Sequence, residues 1–424
     1  MNKKIVIVGL GYVGLPLAYE FSKHYNVIGY DIDKSLIDSL NNNIDSKEYY
    51  TQKELKNCNA KFSKNSLDLD GADIFIITVP TPVTKNKKPD LTPLINATKL
   101  ISKFIKKKNL IIYESTMYPG LTDEILIPLI VKKSKLKIND DFLVGYSPER
   151  VSPGDSKRNL TNIKKIVSGS NIKAKQQVSK IYKKIIKAGI YSAKSIKVAE
   201  AAKILENMQR DINISLINEV SIIFNKLKIN TFDVLDAAKT KWNFIDLKPG
   251  LVGGHCISVD PYYMKYKSEK IGYKPKVISS GRSVNEKMAK NLCQRVLNEL
   301  LKNKKNLKNC NIGLMGLTFK ENCNDIRNSQ SFKIINFFQN KKIKINIIDP
   351  YIEKININNK NIKKILVKKF DKKMDCIIIT VPHRQFLKLK GDFFVKNLNK
   401  NGVIFDVKNI LKNKRISNIK ILTF

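Results

Sequence analysis

Cys256 lies in the run GLVGGHCISVDPYY, residues 250 to 263, with Gly253 and Gly254 before it and Asp260 four residues after it. A structural cysteine wants apolar neighbours. This one has bare backbone beside it, which points to close approach by another group. A thiol can add to an aldehyde to give a thiohemiacetal; loss of hydride from that adduct leaves a thioester, which water opens. An alcohol would thereby become an acid in two oxidations. Asp260, Thr116 and Glu149 are residue types that position or activate water, although singly each more often serves as a cap or turn former. His255 reads as turn chemistry. Lys203 and Asn207 are four apart in a helical run and share one face. Ala201, Ala202, Ile204 and Leu205 surround Lys203, and a lysine in apolar surroundings titrates lower than usual and can act as acid or base. The plainer alternative for this pair is a solvated polar stripe.

A hydride needs an acceptor. Gly9, Gly11 and Gly14 form G-x-G-x-x-G after the apolar run KIVIV, and Asp31 follows seventeen residues past Gly14. The glycines permit a tight turn, approach of a pyrophosphate to backbone, and helix-to-sheet packing, while the helix N-terminus supplies a positive pole. Asp31 would accept from ribose hydroxyls and repel a 2′-phosphate, which favours NAD over NADP. The competing reading is a merely structural glycine turn.

These groups require a sheet edge to hold them. Strand-like runs NVIGYDI, ADIFIITVP (72 to 80), LIIYEST (110 to 116) and DFLVGYSPER (141 to 150) alternate with helical stretches. That alternation predicts a parallel, doubly wound α/β sheet with Asp31, Pro80, Thr116 and Glu149 at its carboxyl edge. From about 195 to 230 runs a helix without Pro or Gly, about 50 Å long at the usual rise. It is expected to connect domains and bury a face against a second copy of the chain. A further helix is expected over 284 to 301. Strand signals return at NIGLMGLTFK from 311, with a helix at 330 to 339, then KINIIDP, DCIIITVP (375 to 382) and GVIFDV, a second and smaller α/β domain. The boundaries drawn are 1–194, 195–305 and 306–424.

The chain has 424 residues, 42 % hydrophobic, enough for two or three cores. Its formal charge is +41, yet only eight of the 78 basic residues are arginine and the 70 lysines are scattered. Nucleic-acid recognition elements are missing, and the Lys, Asn and Ile excess resembles the drift expected of an AT-rich genome, although a basic surface should still help recruit a small polyanion such as a nucleotide. The six cysteines show no metal or disulfide spacing, and a reducing cytosol fits. No run reaches the roughly 18 apolar residues of a membrane span, so a soluble cytoplasmic protein is expected.

G-L-G-Y-V-G-L-P-L-A, V-P-T-P at 79 to 82, E-S-T at 114 to 116, S-P-E-R at 147 to 150, E-A-A-K-x-x-E-N from 200, G-G-H-C-I-x-V-D-P-Y-Y from 253 and F-K-E-N-x-x-D-I-R-N-S from 319 occur in that order along nearly the whole chain. Together they resemble the UDP-glucose/GDP-mannose dehydrogenase family. T-P-V-x-x-x-x-x-P-D-L-T-P-L with H-C-I-x-V-D-P-Y-Y is similar to its UDP-N-acetylhexosamine branch, the Vi-antigen and O-antigen type enzymes of surface polysaccharide synthesis. The resemblance implies two Rossmann-like domains, the first for NAD and the second for UDP, joined by a dimerising helix, and hence a homodimer. It implies Cys256 as nucleophile, Lys203 and Asn207 as stabilisers of the oxyanion, Asp260 as an aid to proton transfer and hydrolysis, and Thr116 and Glu149 as holders of water. Cofactor contacts fall on Tyr12, Val13, Asp31, Thr81, Thr116 and Arg327; substrate contacts fall on Glu149, Arg150, Val151, Lys203, Asn207, Gly253 and Lys320. There are two departures from the UDP-glucose enzymes. Pro153 replaces a second acid four positions after Glu149, and Val259 stands where they have a lysine before the aspartate. Both fit a different sugar, leaving UDP-glucose as the rival substrate. More distant rivals are a two-electron hydroxyacid dehydrogenase and a basic binding protein without activity.

Overall fold

The computed structural model describes residues 3–45, 50–151, 158–352, 355–357, 360–362 and 370–424. Pro153 lies outside them. By contact the chain separates into two compact units, residues 1–207 with 262–274, and residues 208–261 with 275–424.

In the first unit β1 (Lys4–Val8), β2 (Asn26–Tyr30), β3 (Lys61–Ser63), β4 (Ile74–Ile77), β5 (Leu110–Tyr113), β6 (Leu143–Tyr146), β7 (Lys165–Gly169) and β8 (Ile190–Ser192) make one sheet in the order β3-β2-β1-β4-β5-β6-β7-β8. Ile5, Val6 and Ile7, all of β4, and Ile111, Ile112 and Tyr113 are wholly buried, as strands covered on both faces by crossover helices must be. Pairing is parallel from β3 through β6, as the alternation of elements requires. The step from β6 to β7 is antiparallel, and β8 then runs parallel to β7. The sheet therefore extends past the strands expected from sequence and is mixed at that edge. The expected strand at 141–150 is shorter, Leu143–Tyr146, and releases Ser147 to Arg150 as the edge loop. Asp31 likewise lies one residue, and Thr116 three residues, past the ends of β2 and β5.

The helix expected near 195–230 spans Ile196–Lys226, and its first twelve residues belong to the first unit. A second long helix covers Lys276–Lys302, eight residues earlier in its start than expected. The second unit carries β9 (Asn311–Met315), β10 (Lys344–Ile348), a small antiparallel hairpin of β11 (Ile355–Ile357) and β12 (Lys360–Ile362), then β13 (Met374–Ile379), β14 (Leu398–Asp406) and β15 (Lys420–Leu422). Its five-stranded sheet, β10-β9-β13-β14-β15, is parallel throughout. Among the described residues no helix is long and apolar enough to cross a membrane.

Candidate active site

The glycine turn is built as its spacing predicts. Gly9 has φ +96°, a conformation side chains rarely adopt. A Cβ on Gly14 would lie 1.8 Å from the Gly9 carbonyl oxygen, whereas one on Gly11 would meet nothing within 4 Å. The second glycine is thus not required by the protein's own packing, as expected where a pyrophosphate must reach the backbone. The helix Gly14–Ser22 starts there and presents its positive pole. Asp31 accepts from the Leu10 N–H at 2.7 Å and the Asp33 N–H at 3.0 Å, which fixes the carboxylate and leaves it acceptor sites for ribose hydroxyls. These residues fit a dinucleotide. Val13 is buried, while Tyr12 and Thr81 are half-buried.

Three hydrogen-bonded ties gather the remaining motifs of the first unit. The Ser115 hydroxyl donates to the Val79 carbonyl, which anchors the segment of Thr116 to the V-P-T-P turn. Glu200, fully buried, accepts from Gly120 N–H (2.6 Å), Thr122 N–H (3.1 Å) and the Thr122 hydroxyl (2.6 Å). That docks the loop after β5 on the long helix. Burial pushes the Glu200 carboxyl up to about 7, against the hydrogen bonds that pull it down. Arg150 clasps Glu206 of the same helix at 2.8 and 3.1 Å and also donates to the Lys164 carbonyl. Lys203 is buried, 7 % exposed, and Asn207 half-buried, so the solvated-stripe alternative fails for Lys203. Glu149 is buried; its Oε1 accepts from the N–H of Arg150 at 2.7 Å and from that of Val151.

In the second unit the segment 250–256 is braced on both sides. Asn218 of the long helix donates to the Gly250 carbonyl at 3.0 Å and accepts its N–H at 2.8 Å. Gln330 donates to Val252, Asn328 donates to Gly254, and Gly254 N–H reaches Arg327. Gly253 and Gly254 thereby answer the question their bareness raised. A Cβ on Gly253 would lie 2.8 Å from the Asn328 carbonyl, and one on Gly254, where φ is +85°, would lie 2.7 Å from the Phe319 ring. The group that approaches these glycines is the chain's own 319–330 segment. His255 is likewise more than a turn former, packing edge-on to Phe319. The Cys256 carbonyl accepts from both Val259 and Asp260, so the thiol sits on the turn that launches the helix Asp260–Lys270, with Asp260 fully buried at its start. Lys320 is half-buried, and the Arg327 guanidinium lies on Asp325 at 2.5 to 3.0 Å.

Burial separates the six cysteines. Cys293, Cys310, Cys323 and Cys376 are buried, and desolvation pushes the Cys293 thiol up to about 12 and those of Cys310 and Cys323 to about 11. Thiols held protonated in this way are poor nucleophiles. Cys58 and Cys256 alone are partly exposed, and only Cys256 stands among residues suited to the chemistry above.

A second glycine turn mirrors the first. Gly316 has φ +104°, and Asp349 past the end of β10 accepts from Leu317 N–H at 2.6 Å, as Asp31 does from Leu10. Asp349 is wholly buried, however, with Tyr351 and Ile352 N–H groups on its other oxygen and His383 at 3.6 Å. It cannot meet a ribose. The dinucleotide features therefore belong to the first unit, with Lys203, Asn207, Thr116 and Glu149, while Cys256, Asp260, Lys320 and Arg327 belong to the second.

Three buried charged residues of the first unit escaped the sequence reading. Glu114 and Glu200 sit inside the E-S-T and E-A-A-K runs, but nothing in those runs distinguishes a buried carboxylate. Lys165 is one lysine among 70 and carries no signal at all.

Models of the UDP-glucose/GDP-mannose dehydrogenase family match this chain in three parts: the NAD binding domain over residues 3–186, the central domain over 197–287 and the UDP binding domain over 313–413. Similar curated proteins include Protein CapL of Staphylococcus aureus, 44 % identical over 98 % of both chains, and the UDP-N-acetyl-D-glucosamine 6-dehydrogenase of Salmonella typhi, 43 % identical over 96 % of both. The same-named enzyme of Pseudomonas aeruginosa is 44 % identical over 96 % of this chain and 97 % of its own. Among solved structures, the UDP-D-ManNAc dehydrogenase of Pyrococcus horikoshii superposes with a TM-score of 0.88 at 28 % identity, covering 99 % of this chain and 98 % of its own. With the nucleotide turn, the braced cysteine and this likeness all in place, the chain belongs to the UDP-glucose/GDP-mannose dehydrogenase family and is one of its NAD-dependent oxidoreductases.

Proposed function

We propose that this chain oxidises the C6 hydroxyl of a UDP-N-acetylhexosamine, of the UDP-N-acetylglucosamine or UDP-N-acetylgalactosamine type, to the uronic acid, for surface polysaccharide synthesis. The observation that carries this reading is the partly exposed Cys256, braced at the start of the Asp260 helix, in a chain 43–44 % identical over nearly its whole length to two UDP-N-acetyl-D-glucosamine 6-dehydrogenases. UDP-glucose is the weaker rival, because two of the relatives named above are UDP-N-acetyl-D-glucosamine 6-dehydrogenases.

NAD supplies the hydride acceptor for each oxidation, and Gly9, Gly11, Tyr12, Val13, Gly14, Asp31, Thr81 and Thr116 would hold it, with Arg327 as a further contact. The Cys256 thiolate adds to the C6 aldehyde left by the first oxidation. Lys203 and Asn207 donate to the resulting oxyanion, and a buried ammonium does this more strongly than one in water. The second oxidation leaves the sugar as a thioester on Cys256. Asp260 assists proton transfer, and Thr116 and Glu149 hold the water that hydrolyses it. Glu149, Arg150, Val151, Gly253 and Lys320 complete the substrate contacts. The division into an NAD part (1–194), a central part (195–305) and a UDP part (306–424) belongs to the same proposal. So does a cytoplasmic homodimer, which the exposed Leu205, Leu216 and Ile223 on the long helix favour.

Turnover with a panel of UDP-sugars, reading uronic acid by mass, tests the substrate. Uronate from an N-acetylated sugar well ahead of UDP-glucose is expected. Preference for UDP-glucose would replace the first reading by the second.

A further inference from the structure

Beneath Glu149 lies a buried charge cluster that the chemistry above does not use. Lys165 of β7 places its Nζ 2.5 Å from Glu114 Oε2 and 3.8 Å from Glu149 Oε2. Its side chain is 3 % exposed, that of Glu114 wholly buried and that of Glu149 7 % exposed. The Tyr182 hydroxyl donates to the other oxygen of Glu114, and the Lys165 ammonium also lies 5.2 Å from the Tyr182 ring. One cation is thus shared unequally by two carboxylates. It hydrogen-bonds Glu114 and stands beyond hydrogen-bond reach of Glu149. Arg150, next to Glu149 in the chain, is engaged with Glu206.

We propose that Glu114 and Lys165 are positioning residues for the hydrolytic step, Glu114 holding the ammonium back so that Glu149 has a cation beside it yet retains Oε2 as a proton acceptor. This rests on the reading of Glu149 as the residue that holds the hydrolytic water. In that step the water oxygen bonds to the thioester carbon and its proton passes to Glu149. The carbon–sulfur bond breaks and sulfur leaves as the Cys256 thiolate, the acid's remaining proton going to solvent. An acceptor hydrogen-bonded to the ammonium would be too weak a base, and one with no cation nearby would take up a proton instead. Burial pushing the Glu114 carboxyl up to about 7, against the pull of Lys165, agrees with one cation too few for two carboxylates.

The test is decay of the Cys256 acyl-enzyme, followed by rapid quench and intact-protein mass across pH 5 to 9, in wild type, E114Q and K165M. Without Glu114 the ammonium moves onto Glu149, so the acid limb of the decay rate shifts down by about one pH unit and the plateau falls. Without Lys165 the limb shifts up by a similar amount. The first-turnover yield of NADH stays at the wild-type level in both. Limbs that stay put, or that move the same way in two folded variants, overturn the proposal, because a merely structural pair has no reason to move them oppositely. E114Q is nearly isosteric and decides the matter alone if K165M does not fold. A wild type that never forms an acyl-enzyme would refute the cysteine chemistry itself. Unmoved limbs with normal wild-type acylation would sink only the positioning pair.

Discussion

Two glycines of one motif should fail in opposite ways. A methyl at Gly14 would lie 1.8 Å from the Gly9 carbonyl oxygen, 2.6 Å from Thr78 Oγ1 and 2.9 Å from the Gly9 carbonyl carbon. The shortest is roughly 1.5 Å inside ordinary contact. Two of the three atoms are backbone in the strand-to-helix turn and cannot swing aside, so the helix must move. Overpacking of this kind costs about 1–3 kcal/mol where side chains give way, and G14A should lie at or above the upper end. At Gly11 a methyl meets no protein atom within 4 Å and φ is not positive. G11A should therefore leave stability unchanged or raise it by about 0.5 kcal/mol through the unfolded chain. Its methyl nevertheless stands where a pyrophosphate must approach, and weakening of NAD binding by tenfold or more, about 1.4 kcal/mol, is expected. Urea unfolding without cofactor and NAD titration by calorimetry separate the two effects. A G11A variant that binds NAD as wild type does, or that is as unstable as G14A, would refute the assignment of this turn to the cofactor.

Other perturbations have equally definite signs. Glu200 titrates near 7 in the folded chain because it is buried, above its ordinary 4.5. Its stabilising contribution is therefore full below about pH 4.5 and lost as pH rises through 7, a change of about 3 kcal/mol. E200Q should remove that part of the pH dependence in urea unfolding at pH 5 and 8, and an identical slope in both proteins would contradict the burial of an ionisable carboxyl there. N218A strips the Gly250 N–H and carbonyl of their partners, which should cost about 2 kcal/mol or more and lower kcat through the Cys256 loop, checked by urea unfolding and steady-state kinetics. K203M should lower kcat by about 10²-fold or more with little change in KM for the sugar, since an oxyanion donor acts in the transition state; a pure KM effect would reassign Lys203 to substrate binding.

Chemistry was easier to read in the sequence than environment. The glycine turn, Asp31, the strand edges and the long helix follow from period and spacing, which local backbone geometry enforces. The bare glycines beside Cys256 were legible as a close approach, but the approaching group, Phe319 and Asn328, lies more than sixty residues away and has no local mark. The antiparallel step at β7 escaped for a similar reason, since strand direction at a sheet edge depends on a crossover path and not on the strand's own residues. Lys165 makes the point most sharply: its burial against Glu114 is a product of tertiary packing, and its sequence neighbours look like any other lysine-rich stretch.

The covalent role of Cys256 is most directly tested by counting NADH formed per UDP-N-acetylhexosamine consumed, side by side for wild type and C256S. Two for the wild type, with uronate as product, and at most one for C256S, with none, is the expected result. Two per sugar and uronate from the serine variant would contradict it.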